Sequence, residues 1–215
     1  MHSPALEAID HKAHSETEAV DLKMMQRCIK LSGIAGQEGE FPFASVIAQN
    51  GKIIAEAINR VVRDGDVTRH AELLAISEAQ RVLSKKKLKD CTLYSNIEPC
   101  VMCSFPIREA RVARVVFSLK SPLMGGFSRW NVLRDEIISG KMREVFGQAP
   151  EIVVGILECE ADQIWREWNP IIWKLIQRRG CFSPPQGFCS HHKALRRSNL
   201  FRSFMSALHK YSRSR

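Results

Sequence analysis

FASVIAQNGKIIAEAI, residues 43–58, decides the fold class. Two apolar runs flank Asn50-Gly51, a pair that adopts the left-handed backbone of a tight hairpin turn at little cost. Two antiparallel strands are expected here. Downstream, CTLYS (91–95), ARVVFS (113–118) and EIVVGILE (151–158) read as further strands alternating with segments of helical spacing. Upstream, Ser15 and Glu18 form a capping-box pattern ahead of Val20, Met24, Cys28 and Leu31, which predicts an amphipathic helix ending near residues 33–36. A second helix carries Glu72, Leu73, Leu74, Ile76, Ala79 and Leu83 and closes at Lys85-Lys86-Lys87, a solvated run at its favourable end. PCVMC (99–103) opens a third. A last long helix is expected over residues 162–177, with Trp165, Trp168 and Trp173 as core or interface anchors. A hairpin followed by alternating helices and strands makes a mixed sheet covered on both faces, an α/β or three-layer α/β/α sandwich.

The 215 residues suit one domain with extensions. The net charge of +9 is a property of the C-terminal tail: Glu167 is the last acidic residue, and ten of the 32 Lys/Arg follow it. The predicted division is a flexible N-terminal extension (1–14), a catalytic domain (15–180) and a basic extension (181–215). In that extension SPPQG (183–187) reads as a linker, and Leu195, Leu200, Phe201, Phe204, Met205 and Leu208 form the apolar stripe of an amphipathic helix suited to RNA or an anionic surface. No segment has a signal-peptide pattern or the apolar length to span a bilayer, so a soluble, cytoplasmic protein is expected. Seven cysteines, two of them in C-x-x-C, suggest metal or redox chemistry in a reducing compartment rather than a disulfide framework.

His70 and Glu72 lie two apart in TRHAELLAI (68–76). On a regular helix such neighbours diverge, but if His70 caps the helix and Glu72 lies in its first turn, both face one cleft. Cys100 and Cys103 share a helical face, and Pro99 fits the first helical position. One imidazole and two thiolates suit tetrahedral zinc, and three ligands leave a corner for water, the arrangement of a catalytic rather than a structural site. Cys91 and Cys159 are read as buried strand-edge thiols rather than a fourth ligand. Cys181, Cys189, His191 and His192 offer zinc-binding types without a domain context that would build a second site. The zinc lowers the pKa of its water, and Glu72 is the expected catalytic proton carrier. H-x-E followed by P-C-x-x-C is the signature of hydrolytic deamination of nucleobases.

NRVVRDGDVTRHAELLAI (59–76) and LYSNIEPCVMCSFPIREARVARVVFS (93–118) resemble the cytidine deaminase superfamily, in its branch of bacterial tRNA adenosine deaminases and guanine or cytosine deaminases. The resemblance covers about residues 15–178. It implies a five-stranded mixed sheet, one Zn2+ per chain on His70, Cys100 and Cys103, Glu72 as proton shuttle, and a homodimer whose interface helps to shape the site. It also implies that Asn59 and the backbone at Ala71 bind the base, and that Glu98 orients its loop. Pro106, Arg108 and Glu109 depart from the family pattern, and Pro106 is expected to kink or shorten its helix.

GEFPFASVIA (39–48) resembles the strand opening of small nucleobase deaminases, and MGGFSRWNVL (124–133) the glycine loop of tRNA deaminases. Ser128 and Arg129 replace the acidic residues that guanine deaminases carry after their Gly-Phe. The expected activity is deamination of a nucleobase or nucleoside. The alternatives are a tRNA-specific adenosine deaminase forming inosine at the wobble position, and an inert deaminase-like scaffold that binds RNA or a partner.

Overall fold

Asn50 and Gly51 both take positive φ, 50° and 71°, and reverse the chain from β1 (Ala44–Gln49) into β2 (Lys52–Ile58). The computed structural model describes residues 4–186 and residue 189, with backbone alone over residues 4–14. β1 pairs on its other edge with β3 (Cys91–Ile97), again antiparallel. β4 (Arg114–Leu119) and β5 (Glu151–Val154) then add in parallel, so the sheet runs β2-β1-β3-β4-β5.

Period-two alternation sends neighbouring side chains to opposite faces. Val46, Tyr94 and Val116 pack on one face against Met24, Cys28 and Leu31 of α1 (Pro4–Gln37), with Trp165 of α6 (Glu158–Trp168) and Trp173 of α7 (Pro170–Arg178). Ile47, Leu93, Val115 and Phe117 face α3 (Ala71–Leu83) and α4 (Val101–Glu109) on the other. The result is a three-layer sandwich on a five-stranded mixed sheet. Trp165 and Trp173 are buried core rings stacked 4.9 Å apart.

Several boundaries move. The backbone of α1 is helical from Pro4, so Ser15 lies inside the helix rather than capping it; the preceding Ala-Leu-Glu-Ala are strong helix formers. The apolar run after Glu151 leaves the sheet at Gly155 (φ 93°) and Leu157 (φ 56°), which shortens β5 to four residues. The last helix is two helices. Pro170 has no N–H to continue α6, and extended Asn169 restarts the chain by accepting hydrogen bonds from the Ile171 and Ile172 amides. Between Ile58 and Ala71 the chain includes a short helix, α2 (Val61–Asp64).

The body also runs past residue 180. Phe182 is buried in the Trp165 cluster, the Cys181 carbonyl accepts from Ser121 Oγ at 2.8 Å, and the Ser183 amide donates to the Lys120 carbonyl at 2.9 Å. The Gln186 amide then donates to Glu158. That docking brings Cys189 to Cys159, and the two form a disulfide, against the expectation of free thiols. Cys189 is thereby withdrawn from any site with Cys181. His191, His192 and the expected amphipathic helix lie outside the described residues. No helix among the described residues is long and apolar enough to cross a membrane.

Candidate active site

Two helix N-termini meet at the end of the sheet where β3 stops. His70 is the extended N-cap of α3 (φ −70°, ψ 146°), and Glu72 lies in that helix's first turn. Helical angles therefore do not separate the i, i+2 pair. Cys100 is the extended N-cap of α4 (φ −67°, ψ 171°), with Cys103 one turn inside. Pro106 does not displace Cys103, because α4 runs through it to Glu109. Arg108 turns inward, where its guanidinium donates to the Val132, Leu133 and Asp135 carbonyls and to Ser139 Oγ. It thereby ties η1 (Val132–Arg134) and α5 (Glu136–Lys141) to α4.

His70 Nδ1 lies 3.6 Å from Cys100 Sγ and 3.4 Å from Cys103 Sγ, and the sulfurs are 3.6 Å apart. A zinc ion with ordinary Zn–S and Zn–N bonds at tetrahedral angles has S–S and S–N edges of about 3.5–3.8 Å. The three donors thus already stand at the spacing of one face of that tetrahedron. Among the described residues they are the group whose ligand atoms all lie within 4.8 Å of one another, and Glu72, Cys91 and Cys159 are not in it. The donor set fits zinc.

The hydrogen bond between the two sulfurs, with the His70 ring beside Cys100, holds the Cys100 thiol down at about 4. The same hydrogen bond, with burial, pushes Cys103 up. His70 is raised, first by its hydrogen bond to Cys100. Glu72 is 6 % exposed, and burial, followed by the Cys100 charge, lifts its carboxyl to about 7. Its Oε2 is 3.6 Å from Cys103 Sγ.

Asn59 is buried just after β2. The adjacent Arg60 amide donates to the Arg69 carbonyl at 3.0 Å, which brings Asn59 beside the His70 turn. Its Nδ2 donates to Glu40 at 2.9 Å. A carboxylate only accepts, so this bond assigns the amide's two ends and leaves Oδ1 turned elsewhere. Glu40 is 2 % exposed and also accepts from the Val62 and Arg63 amides. Ala71 is buried as the first residue of α3, where a backbone N–H has no helical partner. Sequence reading missed Glu40, because nothing in GEFPF announces contacts to residues 19 to 23 positions away.

The sequence profile of the cytidine and deoxycytidylate deaminase zinc-binding region matches residues 18–119. A tRNA-specific adenosine deaminase of Aquifex aeolicus is 39 % identical over 110 residues, 51 % of this chain and 73 % of the relative. Among solved structures, a tRNA:A34 deaminase superposes with TM-score 0.59 and 29 % identity, over 66 % of this chain and 98 % of the other. A guanine deaminase from Nitrosomonas europaea superposes with TM-score 0.57 and 25 % identity, over 69 % and 84 %.

Proposed function

This chain belongs to the cytidine and deoxycytidylate deaminase family, and from that premise we propose that its substrate is adenosine at the wobble position of tRNA. The chain is a zinc-dependent hydrolase that removes an exocyclic amino group from a nucleobase or nucleoside. The match to a tRNA-specific adenosine deaminase over 110 residues carries the choice of tRNA. The surface beside the site supports it. Trp130 is 55 % exposed with the Arg129 guanidinium 5.6 Å from its ring centre, on a loop joined to Cys100 by a β-bridge at Gly125. An exposed tryptophan with a guanidinium against it suits an unstacked nucleotide flanking the target base.

Zinc, when bound by His70, Cys100 and Cys103, supplies a water acidic enough to lose a proton near neutral pH. Glu72 would take that proton and deliver it to the purine ring nitrogen as the water oxygen adds to the neighbouring carbon. It would then take the remaining hydroxyl proton and pass it to the amine, so the C–N bond breaks, the carbonyl forms and ammonia leaves. Asn59, held by Glu40, and the Ala71 amide grip the edge of the base.

The homodimer belongs to the same reading. α4 leaves Val101 and Phe105 exposed next to exposed Leu123 and Met124, an apolar face at the metal turn that a second copy would cover. An inert scaffold would follow if Pro106 distorted α4, but Cys103 stands in place against His70. The test is inosine formation by zinc-loaded protein in an intact tRNA transcript with adenosine at the wobble position, beside ammonia release from free adenosine, cytosine and guanine. Inosine at that one position is expected. Turnover of a free base or nucleoside with none of the tRNA would overturn the choice of substrate and leave the deaminase standing.

A further inference from the structure

Cys103 sits within a helix turn, but Cys100 is an N-cap whose position α4 alone does not dictate. What surrounds it is the loop after β4. The Val101 amide donates to the Met124 carbonyl at 3.2 Å, and the Gly126 amide to the Pro99 carbonyl at 2.9 Å. These bonds and the bridge between Cys100 and Gly125 flank the metal-ligating residue on both sides.

One side chain holds that loop. Glu98 is 3 % exposed, and its Oε1 accepts from the amides of Phe127 (2.9 Å) and Ser128 (2.6 Å). Oε2 accepts from the Ser121 amide (2.8 Å) and Ser128 Oγ (2.6 Å). All four partners are neutral. A Cβ on Gly125 would come within 1.9 Å of Oε1, so the loop closes on the carboxylate only because residue 125 is glycine. A carboxylate offers two acceptor oxygens, whereas an amide offers one and turns donors toward donors at the other. The arrangement requires a carboxylate.

We infer that Glu98 is a positioning residue of the metal centre: through its four hydrogen bonds to the loop of residues 121–128 it sets where Cys100 meets zinc. The inference rests on the assignment of His70, Cys100 and Cys103 as the zinc ligands. Outer groups that orient a metal ligand typically change metal affinity by about 10- to 100-fold when altered, and Glu98 acts on Cys100 through the loop that its hydrogen bonds hold.

The experiment is competition for zinc between the folded protein and a chromophoric chelator, with the visible spectrum of the cobalt-substituted protein as a report on ligand geometry. Glu98→Gln is expected to bind zinc about 10- to 100-fold more weakly and to shift the cobalt bands, with a native circular dichroism spectrum. Asn169→Ala, which removes a helix cap remote from the metal, is the control for lost stability alone and is expected to leave both readings unchanged. Should Glu98→Gln fail to fold, Ser128→Ala decides, because it removes one donor from an exposed residue; a roughly threefold loss of zinc affinity is expected. Zinc affinity and cobalt spectrum equal to wild type in the variant that folds would overturn the inference. A wild-type chain that binds no zinc would instead remove the metal assignment beneath it.

Discussion

Burial decides what Glu72 does. The carboxyl's ordinary value of 4.5 is lifted to about 7, first by loss of water and then by the Cys100 charge. Glu72→Ala is expected to retain zinc, measured by elemental analysis, and to lose turnover by about 10²- to 10⁴-fold; full activity would remove the assigned role. The same burial has a thermodynamic signature in the metal-free protein. Between pH 4.5 and about 7 the folded chain holds a proton on Glu72 that the unfolded chain has released, so this carboxyl's contribution to stability falls as pH rises through that window. Cys100, held down at about 4, contributes the opposite slope there, so the Glu72 contribution is read as the difference between wild type and Glu72→Gln in urea unfolding of chelated protein. The His70–Glu72 pair was legible because a cap followed by a first turn is a local feature. The clasp of Glu40 on Asn59 was not, because the partners meet only when the turn after α1 folds against the end of β2. Glu40→Gln places a carbonyl and an amide where two acceptor oxygens stood, and is expected to raise KM more than it lowers kcat.

At the scale of elements, caps and turns governed where the sequence reading held. Asn50-Gly51 names its own turn, and the strands on either side follow. The break at Asn169-Pro170 carried a signal of equal strength that the continuous tryptophan spacing masked. Asn169→Ala should cost about 1 kcal/mol in urea unfolding through loss of the α7 cap. Arg108 shows the opposite case. Nothing local marks a cation eight residues past Cys100 for the interior, yet it is buried with its guanidinium donating to backbone carbonyls 24 to 27 residues away and to the Ser139 hydroxyl. Burial lowers its pKa from the ordinary guanidinium value, and the hydrogen bonds to the Val132, Leu133 and Asp135 carbonyls offset the lost hydration. Arg108→Met is expected to destabilise the protein by at least about 2 kcal/mol, read from the urea midpoint, because it removes those buried, charge-assisted bonds.

At the scale of the molecule, the excess positive charge follows Glu167 in the sequence, and on the proposed reading the basic tail adds phosphate contacts to those of the near-neutral body. Deleting residues 190–215 removes seven Lys/Arg and keeps Cys189. It should leave zinc content unchanged while weakening tRNA affinity and flattening its salt dependence, measured by filter binding between 50 and 200 mM salt. An unchanged salt slope would place the phosphate contacts on the body. The sequence by itself determined the order of the strands and that His70, Cys100 and Cys103 meet with Glu72 beside them, because hairpin turns, helix starts and ligand spacing act over a few residues. Only the tertiary structure decided which carboxylates hold the site in shape, that Arg108 faces inward, that the chain beyond residue 180 packs into the core, and that Cys159 finds Cys189. Each of those depends on distant segments sharing a buried volume, where an unpaired polar group is costly and the partner that satisfies it leaves no mark in the local pattern.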